Sequence, residues 1–118
     1  AEAVSRLAKY EKAIPLYERA VKLDPDFGEA WWKLAQANLH QKKPNLKKTL
    51  KACEKAIDKG AGVCWCMERM AVIYDDRRKC PKALRYYKKF LKTCGAELEE
   101  GEYREFQTSM LKNKRKCG

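Results

Sequence analysis

The 118-residue sequence predicts an all-α fold, made of stacked helix–turn–helix repeats and closed by a C-terminal covering helix. Three observations lead to this prediction. Alanine, lysine, leucine and glutamate dominate the composition, whereas there are only 4 prolines and 6 glycines, a balance that favours helices. One apolar pattern recurs three times at nearly constant spacing, and a further amphipathic segment follows the last copy.

The recurring pattern predicts three helices that each form the second half of a repeat. Its copies begin at Tyr10, Leu46 and Cys80, so the offsets are 36 and 34 residues. Within each copy, apolar side chains are three or four residues apart, which places them on one face of a helix. Since such a face must pack on a neighbour, each copy indicates a helix with one buried side.

Another helical stretch precedes each of the two later copies and predicts the first helix of the pair. These stretches, 29–41 and 64–76, carry the same apolar spacing at Trp31, Leu34, Ala35 and Asn38 and at Met67, Met70, Ala71 and Tyr74. In both, a small residue follows the large apolar one, as close packing of two helices requires.

We expect a single domain over residues 1–113, divided into a partial first repeat at 1–27, a second at 28–61, a third at 62–95 and the covering helix at 96–113, followed by a basic, solvated tail at 114–118. Residues before Tyr10 are expected to be the end of a truncated first helix, so that the parent chain continues upstream. Pro15 suits a helix that begins at Tyr10 but would bend one that begins earlier. The covering helix is expected to direct one face to the core, at Leu98, Tyr103, Phe106 and Met110.

The sequence resembles the tetratricopeptide repeat family over roughly residues 1–95, at Trp31, Leu34, Ala35, Ala56 and the Leu23-Asp24-Pro25 ending. The third repeat departs from the family pattern, with Met67 in the aromatic place and Phe90 where a small residue is usual. The resemblance implies a right-handed α-solenoid. Its first helices line a concave groove and its second helices form a convex back.

The register of the first helices predicts which residues face the groove. A partner peptide or helix is expected to bind at Trp32, Lys33, Gln36, Trp65, Arg69 and Val72, with Glu29, Leu39, His40, Glu68 and Asp75 on the same side. Tryptophan is a favoured anchor at interfaces. The alternative is that the terminal helix or a neighbouring segment covers both tryptophans. The family's carboxylate-holding set transfers poorly, because only Arg69 occupies its matching place.

The net charge of +11 arises within residues 28–95, because the segments on either side are balanced. The second helices place cations opposite their apolar stripe, at Lys48, Lys51, Lys55, Lys82, Arg85 and Lys89. These residues form either a solvated face or a basic convex surface that contacts an acidic subunit or nucleic-acid phosphates. No aromatic residues are expected among the exposed lysines, so base stacking is not indicated.

Six cysteines raise the question of a metal site or disulfides: Cys53, Cys64, Cys66, Cys80, Cys94 and Cys117. The Cys64-x-Cys66 spacing and the single histidine, His40, do not match a structural zinc site, so neither a metal nor a cofactor is expected. The apolar stripe places Cys53 and Cys80 in the core as free thiols, whereas oxidation of Cys64, Cys66 and Cys94 stays open. Without a signal peptide, six thiols favour the cytoplasm, with an organellar matrix or a ciliary assembly as alternatives.

The sequence offers no activated nucleophile and no glycine-rich loop after a strand, and its apolar runs are too short to cross a bilayer. We therefore expect a non-catalytic scaffold or adaptor that binds a partner peptide or helix in the concave groove. The alternative function is a structural component of a ribonucleoprotein or another large assembly. That component would use the basic convex face to contact acidic surfaces or phosphates.

Overall fold

The computed structural model describes the backbone of residues 2–116 and the side chains of residues 8–116. Within this part of the chain there are six α-helices and no strand, so the all-α prediction is confirmed. The helices are α1 (Glu2–Leu23), α2 (Gly28–His40), α3 (Leu46–Asp58), α4 (Val63–Asp76), α5 (Cys80–Cys94) and α6 (Glu100–Lys116), with one 3-10 turn at Gly95–Glu97.

The chain divides into two compact units, Ala1–Cys66 and Met67–Gly118, and the boundary falls inside α4. In the first unit, α2 packs against both α1 and α3. The pair formed by α2 and α3 corresponds to the predicted second repeat. Its buried faces carry the expected small and apolar residues, among them Leu34, Ala35, Leu50, Ala52 and Ala56.

Helix α1 is a single helix of 22 residues, whereas the sequence pattern predicts two helices that meet near Tyr10. The interval between Glu2 and Tyr10 contains no glycine, proline or asparagine, so nothing there ends a helix. Pro15 consequently lies in the interior of α1 with its ring exposed to solvent. Because proline lacks an N–H, it donates no hydrogen bond to the carbonyl of Glu11.

The turns that join the helices of the first unit are formed by side chains with local partners. The Trp31 indole N–H donates a hydrogen bond of 2.8 Å to the Pro25 carbonyl, which closes the turn before α2. Asn45 caps α3, since its side-chain oxygen accepts a hydrogen bond from the Lys48 N–H. Residues adjacent to the N-terminal ends of α2 and α3 therefore determine where these two helices begin.

The turn between α3 and α4 depends on two glycines with left-handed backbone. Gly60 has a φ of +75° and Gly62 a φ of +56°, a region that residues with a β-carbon rarely adopt. The Trp32 indole lies directly against Gly62, so that a β-carbon there would overlap the ring, whereas the space around Gly60 is open. Gly62 is thus required both for its conformation and for the packing of Trp32.

A disulfide joins Cys53 of α3 to Cys66 of α4, with their Cα atoms 5.3 Å apart. The prediction that Cys53 is buried is confirmed, but the prediction that it is a free thiol is wrong, because the buried faces of the two helices bring both sulfur atoms together. The prediction that Cys80 is a buried free thiol is also wrong, because Cys80 is half-buried and disulfide-bonded. Half-buried Cys64 and buried Cys94 are disulfide-bonded as well. None of the cysteines among the described residues is free.

In the second unit, α6 packs on α5 as the predicted covering helix. The Phe106 ring lies 4.2 Å from that of Phe90 and 5.3 Å from that of Tyr87, measured between ring centroids. The residues predicted to face the core are half-buried, at Leu98, Tyr103, Phe106 and Met110. Helix α6 continues to Lys116, so residues 114–116 of the predicted tail are helical.

The most buried side chain of α6 is polar. Asn113 is 1% exposed, and its amide donates a hydrogen bond of 2.9 Å to Asp75 Oδ1. The Tyr87 hydroxyl donates to Asp75 Oδ2 at 2.9 Å, and the Lys116 ammonium lies 3.3 Å from Oδ1. One carboxylate on α4 therefore holds side chains of both α5 and α6.

Two pKa shifts follow from this arrangement. Partial burial alone would raise the pKa of Asp75, but the hydrogen bonds from Asn113, Tyr87 and Lys116 outweigh burial and lower it below the usual 3.8. Burial raises the pKa of Tyr87, and its hydrogen bond to the Asp75 carboxylate raises it further. At neutral pH, Asp75 is charged and the Tyr87 hydroxyl keeps its proton.

Replacing Gly62→Ala is expected to destabilise the first unit more than Gly60→Ala does. Both substitutions place a β-carbon on left-handed backbone, at a cost of about 1 kcal/mol. Only Gly62→Ala also displaces the Trp32 indole, which adds about 2 kcal/mol. Urea unfolding followed by circular dichroism measures the difference, and equal losses in the two variants would contradict the packing described for Trp32.

Replacing Asp75→Asn is expected to lower the free energy of unfolding by about 2 kcal/mol at pH 7, because Asn113 and Tyr87 then lose a charged acceptor. The folded-state pKa of Asp75 lies below 3.8, so its stabilisation is present above that pH and is lost as the pH falls through the folded-state pKa.

The gap between wild type and Asp75→Asn should accordingly narrow below pH 4, as urea unfolding at several pH values measures. Asp76→Asn, at an exposed neighbour on the same helix, is the matched control and should change little. A gap that stays constant with pH would show that Asp75 does not act through its charge.

Candidate functional site

A cleft of 590 Å³ opens between α1 and α2 in the first unit. Helix α1 contributes Lys9, Tyr10, Ala13 and Tyr17, and α2 contributes Lys33 and Gln36. The α1 residues are three or four positions apart, and so are the two from α2, so each helix presents one face to the cleft. The wall is therefore a helix pair with regular spacing.

The cleft exists because the apolar stripe of α1 is left open. Tyr10, Ala13 and Tyr17 begin the first copy of the recurring pattern, and the described part of the chain leaves all three partly exposed. Since α1 is one continuous helix from Glu2 to Leu23, its own N-terminal residues do not fold back over this stripe. All three side chains are half-buried and so remain accessible to a ligand.

Three aromatic side chains from different helices form a row within the first unit. The Tyr10 ring of α1 lies 5.3 Å from the His40 ring of α2, and the His40 ring lies 6.4 Å from the Trp65 ring of α4. Because Tyr10 also lines the cleft, the row extends the aromatic surface beyond it. All three side chains are half-buried.

Among the described residues that line the cleft there are two cations and no acid. Lys9 is exposed, whereas Lys33 is half-buried with its ammonium 4.7 Å from the centre of the Trp32 ring. This position over the ring is a cation–π contact, which orients the Lys33 side chain. With two phenol rings beside two ammonium groups, the cleft suits a ligand that combines apolar surface with a carboxylate.

The predicted groove residues occupy different places. Lys33 and Gln36 line the cleft, and Trp65 lies in the aromatic row. Trp32 packs on Gly62, and its indole N–H is buried without a hydrogen-bond partner. The other two predicted groove residues, half-buried Arg69 and exposed Val72, lie on the part of α4 that belongs to the second unit.

The sequence pattern did not identify Lys9, Tyr10 and Tyr17 as site residues. It assigned Tyr10 and Tyr17 to a buried stripe, which presumes that a first helix covers them. The sequence signal that could have found them is the pair of tyrosines, Tyr10 and Tyr17, at the places that Leu46 and Cys53 occupy in the second copy of the pattern.

The predicted basic residues are all exposed, on one helix of each unit. Lys48, Lys51 and Lys55 lie on α3, and Lys82, Arg85 and Lys89 lie on α5. The expectation that no aromatic residue lies among them is wrong for α5. The Lys89 ammonium is 5.4 Å from the Tyr86 ring, because residues three apart share a helix face. The Lys82 ammonium is 5.5 Å from the ring of Tyr74, which lies on α4.

The described residues carry neither a cluster of metal ligands nor a membrane-spanning helix. They contain no group of three or more histidine, cysteine or acidic side chains that could hold a metal ion. In the same part of the chain, no helix combines the length and the apolar character needed to cross a bilayer.

Comparison with known proteins agrees with the repeat pattern over the part of the chain that contains α1, α2 and α3. The family model described as tetratricopeptide repeat matches residues 1–62, which include the cleft and the complete second repeat. No curated protein sequence matches the chain. The match confirms the resemblance noted in the sequence, and the chain belongs to the tetratricopeptide repeat family.

Proposed function

We propose that the chain is a non-catalytic interaction module that binds a segment of a partner protein in the cleft between α1 and α2. Tetratricopeptide repeats generally mediate protein–protein interaction. The observation that supports this particular site is the open stripe of α1, since it leaves two tyrosines and an alanine accessible beside two lysines.

The lining of the cleft indicates the chemistry of the partner segment. The rings of Tyr10 and Tyr17 offer apolar area at little cost in conformational entropy, because each side chain has few rotatable bonds. Lys9 and Lys33 favour a carboxylate and disfavour a cation. We infer that the bound segment carries an apolar or aromatic residue next to an aspartate or glutamate.

The helix pair also explains why few contacts would suffice. Its helices are already folded and packed, so binding orders the peptide but little of the receptor. The row formed by Tyr10, His40 and Trp65 gives a longer segment a further surface on which to lie. The cleft therefore provides the anchor, and the row provides additional area.

Selection of phage-displayed random peptides on the 118-residue chain tests this proposal. We expect the selected peptides to contain acidic residues and to shift the NMR resonances of Tyr10, Tyr17 and Gln36. The double variant Lys9→Glu and Lys33→Glu should weaken their binding by about tenfold at low salt, because two attractive charges become repulsive.

The matched control carries the same charge change outside the cleft, at exposed Lys22→Glu and Lys43→Glu. This control should retain most of the affinity. Peptides without acidic residues, or equal weakening in the two double variants, would overturn the proposed site.

We further propose that the functional form of the chain is oxidised and matures in an oxidising compartment. The expectation of a cytoplasmic location rested in part on the cysteines being reduced, whereas the described cysteines are disulfide-bonded. Disulfides persist mainly in secreted, periplasmic or lumenal proteins. An oxidising compartment also argues against the ribonucleoprotein alternative, since nucleic acid is chiefly a partner inside the cell.

Removing the Cys53–Cys66 bond with Cys53→Ala and Cys66→Ala is expected to lower the free energy of unfolding by about 3 kcal/mol. The two cysteines are 13 residues apart, and the bond restricts the unfolded chain between them. Urea unfolding measures the loss, and most of the difference between the two proteins should disappear in reductant. Free Cys53 and Cys66 in protein purified from an oxidising compartment, detected by mass spectrometry, would contradict the proposal.

A further inference from the structure

A second groove lies within the second unit, among α4, α5 and α6, and it has an apolar floor. Its volume is 270 Å³. The apolar part of its lining, the floor, consists of Val72, Phe90, Leu98 and Phe106, and Ser109 is a further lining residue. The Phe90 and Phe106 rings are 4.2 Å apart, and Phe90 is only 3% exposed. Val72, in contrast, is 36% exposed, so part of the floor is open to solvent.

The rim of this groove carries three carboxylates, from Glu68 on α4 and from Glu102 and Glu105 on α6. None of the ion pairs between described residues involves them. In a chain with a net charge of +11, such a rim is a local reversal of sign. Its field favours a cationic group and repels the acidic segment that the first cleft is proposed to bind.

The combination of floor and rim narrows the occupant further. A hydrated metal ion or a lone ammonium would leave the apolar floor uncovered. An arginine side chain matches both parts, because its methylene stem covers apolar surface and its planar guanidinium stacks on aromatic rings. The same group donates paired hydrogen bonds to carboxylates, which a lysine ammonium does not do in that geometry.

We propose that the groove lined by Val72, Phe106, Glu102 and Glu105 binds an arginine side chain of a basic partner segment. This site differs from the cleft between α1 and α2 in its unit, in its residues and in the sign of its charge. It goes beyond the proposed function, and evidence against one of the two sites would not be evidence against the other.

Titration of the 118-residue chain with a blocked leucine-flanked arginine heptapeptide, followed by NMR, tests the proposal. We expect shifts at the Val72 methyl groups and at Leu98. Replacing the arginine by citrulline keeps the shape but removes the charge, and should weaken binding by about tenfold. A lysine peptide should bind about threefold more weakly than the arginine peptide.

The double variant Glu102→Gln and Glu105→Gln should also weaken binding of the arginine peptide by about tenfold. Both side chains are exposed, so we expect the variant to fold, as circular dichroism verifies. Glu97→Gln and Glu99→Gln remove the same charge from exposed positions outside the groove and should leave binding unchanged.

Three results would overturn the assignment. One is equal binding of the citrulline and arginine peptides, and another is equal weakening by the two pairs of variants. The third is self-association of the chain in sedimentation experiments that Glu102→Gln and Glu105→Gln abolish, which would assign the groove to a second copy. The acidic peptides selected on the first cleft should bind the Glu102 and Glu105 variant normally, which separates failure of one site from failure of the other.

Discussion

The structure depends on one constraint, namely that the apolar face of each second helix must be covered by a neighbour. Burial of such a face is the main favourable contribution to folding of helical repeats, because each repeat is too small to bury its own core. Helix α2 covers α3, and α6 covers α5. In α1 the equivalent face is only partly covered, and the cleft lies there. The same constraint therefore accounts for the stable parts of the fold and for its most accessible site.

The two grooves show how a covered and an uncovered helix face acquire different chemistry. In the first unit, the open stripe of α1 meets lysines, one of them from α2, so apolar rings are bordered by positive charge. In the second unit, α6 covers most of α5 but leaves Val72 accessible and adds its own glutamates to the rim. The net charge of +11 does not reveal this difference in local charge, because a net charge does not specify which side chains line a cavity.

Specific contacts reinforce the packing at points where apolar burial alone does not determine which side chains meet. Asp75 accepts hydrogen bonds from two other helices, the Cys53–Cys66 disulfide joins α3 to α4, and Gly62 admits the Trp32 indole. Each of these contacts needs one residue type at one position. Apolar stripes tolerate exchange among residues of similar size, whereas these contacts do not. Single substitutions at these positions should therefore lower the free energy of unfolding the most.

Hydrophobic periodicity by itself determined the helical class, the repeat length, the pairing of α2 with α3 and the covering role of α6. Apolar residues spaced three and four apart lie on one face of an α-helix, and they do not do so in a β-strand. The tertiary structure decided the rest. Whether residues 2–9 form a separate helix depends on a stop signal that the chain lacks, and the thiol state of Cys53 depends on its distance from Cys66. The contact between Asp75 and Asn113 spans 38 residues, and Lys9 becomes a site residue only because a stripe beside it is left open. Local patterns record which face of a helix is apolar, but which side chains then meet is set by how separate helices pack.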